Sequence, residues 1–133
     1  ELPHLRIYAA FDPYRRAPWR ELEDIARKKE AGAEGFFTQP VFDLKLFDLC
    51  QEWLRDETVF WGLSPVIGPR SRSYWETTNH VVFPKDFTPT LEANITFAQT
   101  VLKTLTQTGG SVYLMPLRVK LEQYLPPLQA VLA

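Results

Sequence analysis

The stretch Glu34-Gly-Phe-Phe-Thr-Gln-Pro-Val-Phe-Asp43 decides how this chain is read. From Gly35 to Gln39 it lacks the polar–apolar alternation of a strand with one wet face, so it predicts a strand buried on both sides. Asp43 then supplies a helix cap, and Leu44 to Leu54 carries apolar residues at helical spacing. A buried strand feeding straight into a helix is the unit from which parallel sheets are wound. Gln39, the one amide in the stretch, sits where the strand stops. In parallel α/β folds that end is where chemistry gathers.

The same unit recurs on both sides. Leu5 to Phe11 is apolar and aromatic, Asp12 to Pro18 is turn chemistry, and Trp19, Leu22, Ile25 and Ala26 fall at helical spacing before the stop at Gly32. Downstream, Val59 to Ser64 reads as a third strand closed by Pro65, with a helix between Ser71 and Thr78. A long helix is expected from about Thr90 to Thr106, ended by Gly109-Gly110 before a fourth strand, Ser111 to Pro116. Val119 to Leu132 has a helical pattern interrupted by Pro126-Pro127, which predicts a kink or break there. Four strand–helix units define the α/β class, with parallel strands covered by helices.

Composition bounds the partners. The 133 residues are 45% hydrophobic and 14% aromatic, enough to fill the core of one domain. Fifteen basic against sixteen acidic residues leave a net charge of -1 with no block of like sign, so no nucleic acid is expected. No apolar run nears the roughly 20 residues that span a bilayer, so no membrane is expected either. A single cysteine, Cys50, excludes an internal disulfide framework and points to a reducing, cytoplasmic setting. A strand so soon after Glu1 reads as a piece cut from something longer, a single partial domain over residues 1–133.

The strand ends bring together Phe11 with Asp12, Gln39, the Gly68 to Arg72 loop, and Pro116 to Arg118. An amide at such an end can recognise the alternating donors and acceptors of a pterin or flavin edge, or can satisfy loop backbone groups. Glu21, Asp24 and Lys28 share one face of the first helix with Arg27 beside them, a face fit for a pyrophosphate or simply for water. Trp75 can stack on a ligand ring or fill the core, and Arg70, Arg72 and Arg118 are candidate anion partners. Cys50, amid Phe47, Leu49 and Trp53, reads as an inert packed thiol. His4 and His80 lack metal-ligand spacing, and neither a Gly-rich phosphate loop nor a Gly-x-Ser-x-Gly elbow occurs.

Ala31-Gly-Ala-Glu-Gly-Phe-Phe-Thr-Gln-Pro-Val-Phe-Asp43 resembles the strand-six region of methylenetetrahydrofolate reductases, with its Ala-Gly-Ala turn, its strand ending Thr-Gln, then aromatics and Asp. Around it, Ala9-Ala-Phe11 is similar to the family's Ala-Ala-Tyr strand end, and Trp61-Gly-Leu-Ser-Pro65 to its Pro-Gly-Ile-x-Pro strand seven. His80-Val-Val-Phe-Pro84, Ala93-Asn-Ile95 and Val112 to Arg118 follow in the family's order. The resemblance runs from about Leu5 to about Leu125. It implies the C-terminal half, strands five to eight, of a flavoprotein (β/α)8 TIM barrel. That barrel passes hydride from NAD(P)H through FAD to methylenetetrahydrofolate.

Residue by residue, the resemblance implies that Gln39 contacts the folate near the flavin and that Trp75 stacks on the folate side. Phe11, Glu21, Asp24, Arg27 and Lys28 fall at FAD-contacting positions, and Ser71 and Arg118 at substrate-contacting ones. Phe11 lacks the family's tyrosine hydroxyl, Asp24 carries charge where an amide is usual, and Ser71 replaces a second glutamine. The family's glutamate proton donor belongs to the N-terminal half, so no catalytic residue is assigned in this segment. The expected partner is that missing half-barrel or a second copy of the chain, because an open half leaves two bare edges and an apolar inner face. A non-catalytic pterin-binding or assembly subunit is the alternative.

Overall fold

The computed structural model describes residues 4–133. Its elements run β1 (Tyr8–Phe11), α1 (Pro18–Glu30), β2 (Gly35–Thr38), α2 (Leu44–Trp53), β3 (Val59–Leu63), α3 (Gly68–Asn79), α4 (Leu91–Thr108), β4 (Ser111–Leu114) and α5 (Leu121–Leu132). The first strand is shorter than its apolar run: Leu5 and Ile7 precede it and are 53% and 57% exposed. The regular register with β2 starts at Tyr8, and before it only the Ile7 carbonyl is tied across, accepting from the Glu34 N–H at 2.7 Å.

Local signals set most boundaries. Pro18 opens α1, where its missing N–H would have had no partner. Asp43 accepts from the Lys45 N–H at 3.0 Å to cap α2, and Thr90 accepts from the Ala93 N–H at 3.2 Å to cap α4. His80, left-handed at φ 59°, ends α3. The expected break at Pro126-Pro127 is absent, and α5 runs through both prolines. Tyr124 and Leu128 bury one side of α5 against α4, and Gln99 Nε2 donates to the Pro127 carbonyl at 3.1 Å. Packing thus outweighs the local cost of proline.

The four strands are parallel and lie in chain order, β1-β2-β3-β4. Right-handed crossovers that always step to the next strand keep their helices on one face. Side chains from α1, α2, α4 and α5 accordingly meet Phe11, Phe36, Val59, Trp61 and Leu63 in a single core. A second cluster of Phe42, Val66, Trp75, Val81 and Phe83 lies past the strand ends, beneath α3.

The uncovered face is aromatic. Tyr8, Phe37, Phe60 and Tyr113 alternate away from the core residues, and Phe37 stacks on Phe60 at 4.5 Å. Two glycines make the layer possible. Gly35 pairs with Tyr8, and Gly62 with Tyr113. A Cβ on Gly62 would stand 2.6 Å from the Tyr113 hydroxyl and 3.1 Å from the Pro40 Cα. Lacking one, Gly62 lets the Tyr113 ring lie across β3, where its hydroxyl donates to the Thr38 carbonyl of β2.

Gly62→Ala is expected to cost about 1–3 kcal/mol of unfolding free energy through overpacking. Equilibrium denaturation should show a lower midpoint with an unchanged slope. The cost should shrink sharply in a Tyr113→Ala background, and independent, additive costs would sink the contact as its cause.

Candidate functional site

The residues at the C-terminal ends of β1 and β2 form one bonded unit. Beyond Phe37 the β2 ladder to β3 opens, and the Thr38 hydroxyl takes over by accepting from the Gly62 N–H at 3.0 Å. The Thr38 carbonyl accepts from Tyr113, and the Gln39 N–H donates to the Phe11 carbonyl at 2.9 Å. The Thr38–Gln39 peptide is therefore gripped from two strands, and the Thr38 side chain from a third. Gln39 is half-buried, and its side-chain amide has no hydrogen-bond partner among the described residues. A fixed backbone carrying an unengaged amide suits ligand recognition.

Tyr14 links this unit to the loop after β1. Its hydroxyl donates to the Pro40 carbonyl at 2.8 Å. Burial above all, then charge interaction with Cys50, Asp12 and Asp43, pushes the phenol far above its ordinary range, so it stays a neutral donor.

An ionic cluster occupies the other end of that loop. Glu21 is fully buried and accepts from Arg15 at 2.7 Å and Arg16 at 3.0 Å, with Lys28 Nζ at 3.7 Å. Asp24 pairs with Arg16 and Arg27, and Lys28 Nζ donates to the Ala10 carbonyl at 2.6 Å. Four cations thus surround Glu21 and Asp24, and with the Asp12 carboxylate beside Arg15 counted the surplus is one positive charge. The side chains of Arg27 and Arg15 are 72% and 54% exposed, leaving guanidinium donors open. Desolvation acts to raise the Glu21 pKa, but bonds from Arg15, the Asp12 N–H and Arg16, with Lys28 nearby, outweigh it in sum and hold it below the ordinary 4.5.

The ends of β3 and β4 form a second locale. Ser71 and Arg118 line a small cleft of about 190 Å³ together with Arg70, Leu117 and Gln123. Arg118 stands at φ 59°, a left-handed conformation uncommon for a side-chain-bearing residue.

Two expected contact residues are packed away from these surfaces. Phe11 is 1% exposed and turns toward the helices, edge-on to Trp53 at 6.5 Å. Strand alternation dictates this, since Ala9 and Phe11 share the helix side of β1. Trp75 is 4% exposed and sits edge-on to Phe42 at 5.3 Å inside the second cluster, which is the core role of such a residue. Cys50 is likewise buried, its thiol pushed up to about 12 by desolvation.

Several contributors escaped sequence reasoning. Arg15 and Arg16 read only as turn residues, although Glu21, six and five positions on respectively, is within their reach. Gly62 inside an apolar strand was the available signal for Tyr113, because such a glycine marks close approach by another group. Thr38 and Tyr14 carried no sequence signal. No helix among the described residues is long and apolar enough to cross a membrane. Neither a family model nor a curated protein matches the chain.

The sign of the Glu21 shift fixes a pH dependence. A carboxylate whose folded pKa is depressed adds stability above its unfolded pKa and loses it as pH falls through the folded value. Glu21→Gln should therefore be destabilised by a constant amount from pH 7 down to about 5, with the gap to wild type closing below 4.5. Urea unfolding at stepped pH reads this directly, and a gap that widens on acidification would contradict the assignment.

Proposed function

We propose that the chain is the C-terminal half of a (β/α)8 barrel of the methylenetetrahydrofolate reductase type, acting in flavin-dependent reduction of a folate. The observation that carries this reading is Gln39. Its peptide is held by Tyr113 and Phe11, and the Thr38 hydroxyl before it by Gly62, while its amide is left unengaged. Strands in chain order with helices on one face support the half-barrel, since a doubly wound sheet would reverse its order.

In this reading FAD supplies hydride transfer between NAD(P)H and the folate. The surplus positive charge around Glu21 and Asp24 fits a pyrophosphate dianion, with Arg27 and Arg15 the open donors. Glu21 orients the cations from within, holding Arg15, Arg16 and Lys28 on one side of α1. Gln39 reads the pterin edge, and Ser71 with Arg118 receives a polar tail of the substrate. Phe11 and Trp75 act only as packing behind these groups. Proton delivery to the pterin falls to an acid outside this segment, supplied by the complementary half-barrel.

A second reading has its own support. Lys28 is engaged by the Ala10 carbonyl and by Glu21, and Arg16 by two carboxylates, which suits a half-barrel that binds no flavin and serves assembly.

Flavin fluorescence separates the two. FAD should bind the wild-type chain, and Arg27→Ala with Lys28→Ala should weaken it about ten-fold or more, the loss of roughly 1.4 kcal/mol. Gln39→Ala should leave FAD affinity unchanged while weakening methyltetrahydrofolate binding by a similar factor. Absence of saturable FAD binding, alone or with a complementary half added, would favour the assembly subunit.

A further inference from the structure

The opposite end of the sheet, where β3 and β4 begin, carries a cleft of about 760 Å³ that the proposed reaction does not use. Its walls are the C-terminal ends of α2 and α4, tied together by a 3.0 Å hydrogen bond from Gln51 Nε2 to Thr108 Oγ1. Each helix end presents carbonyl groups worth about half a negative charge, and neither last turn holds a basic residue to offset it. Asp48, Glu52 and Glu57 line the cleft with Arg55, and Glu57 is tied to Lys29 at 2.7 Å. Three carboxylates against two cations leave a net charge of -1 before the helix ends are counted.

The second observation is independent of this charge. Trp61, 3% exposed, lines the cleft, and its indole N–H meets no acceptor among the described residues. The ring is fixed edge-on to Phe47 at 4.9 Å. Gly110 keeps the N–H open, since a Cβ there would stand 3.2 Å from Trp61 Nε1. An N–H that opens into the cleft on an otherwise acidic, partly apolar floor is free to donate to an acceptor that lies next to a positive charge.

We propose that this cleft binds a small organic cation that also carries a carbonyl. Asp48 and Glu52 hold its ammonium or guanidinium group, and its carbonyl accepts from Trp61 Nε1. The site stands apart from Gln39 and the Glu21 cluster and does not rest on the flavin reading. Leu54 and Val59 supply the apolar lining for the linker between the two polar ends.

Nα-acetyl-arginine methyl ester is the probe, and Nα-acetyl-citrulline methyl ester, its neutral near-isostere, is the control. In nitrogen–proton spectra of the whole chain, the Trp61 indole signal should shift saturably with the arginine ester. Affinity should fall about ten-fold or more for the citrulline ester and for the Asp48→Asn/Glu52→Gln variant. These two positions are exposed, so the variant keeps its fold. Gln39→Ala should respond as wild type does. An unmoved Trp61 signal at tens of millimolar ester would overturn the proposal, as would equal responses to both esters or unchanged affinity in the double variant.

Discussion

A glycine in one strand lets a tyrosine from the next reach a carbonyl in the strand beyond, and much of the structure depends on that reach. Gly62 lacks the side chain that would collide with Tyr113, so a single hydroxyl crosses β3 and fastens β2 to β4. The β2–β3 ladder can then open after Phe37 without leaving the Thr38 carbonyl unpaired. That opening aims Gln39 and Pro40 away from the ladder, and the Pro40 carbonyl becomes available to Tyr14. The same arrangement recurs at the sheet's other side, where Tyr8 lies over Gly35 and its ring meets Phe60 at 5.4 Å. Two glycine–tyrosine pairs thus turn a bare sheet face into a continuous aromatic layer.

The architecture was legible wherever one physical effect dominated locally. Continuous apolar runs such as Val59 to Leu63 specified buried parallel strands, and Asp43, Thr90 and Gly109 marked helix ends through capping and left-handed backbone. Reading failed where tertiary contact overrode local preference. Pro126 and Pro127 interrupt a helix on paper, but Tyr124 and Leu128 are held so firmly against α4 that the helix continues. The start of α3 at Gly68 was missed because Pro69 and two arginines look like loop, whereas proline is well placed in a first helical turn.

The candidate site was legible in part, for the same reason. Gln39 stood out because an amide at the end of a buried strand is chemically conspicuous. Glu21, Asp24, Arg27 and Lys28 stood out by helical periodicity. Their arrangement did not, because Arg15 and Arg16 join them only once the loop after β1 folds back over α1. Phe11 and Trp75 went the other way. Sequence position put Phe11 at a strand end and the family resemblance put Trp75 on the substrate side, and packing turned both into cores.

The sheet's edges follow from its winding. Strands in chain order expose one edge at β1 and one at β4, and a parallel edge carries unpaired groups that another strand can join. The β1 edge is not bare: Lys28 Nζ occupies the Ala10 carbonyl, which faces away from β2 because Ile7 and Phe11, two odd steps away, accept from that strand. A strand arriving there must displace the ammonium, which then has the Glu21 carboxylate 3.7 Å away to receive it. Edge pairing and the charge state of the Glu21 cluster are coupled through that one side chain. Any partner that extends the sheet at β1 therefore also retunes the cation set beside Gln39.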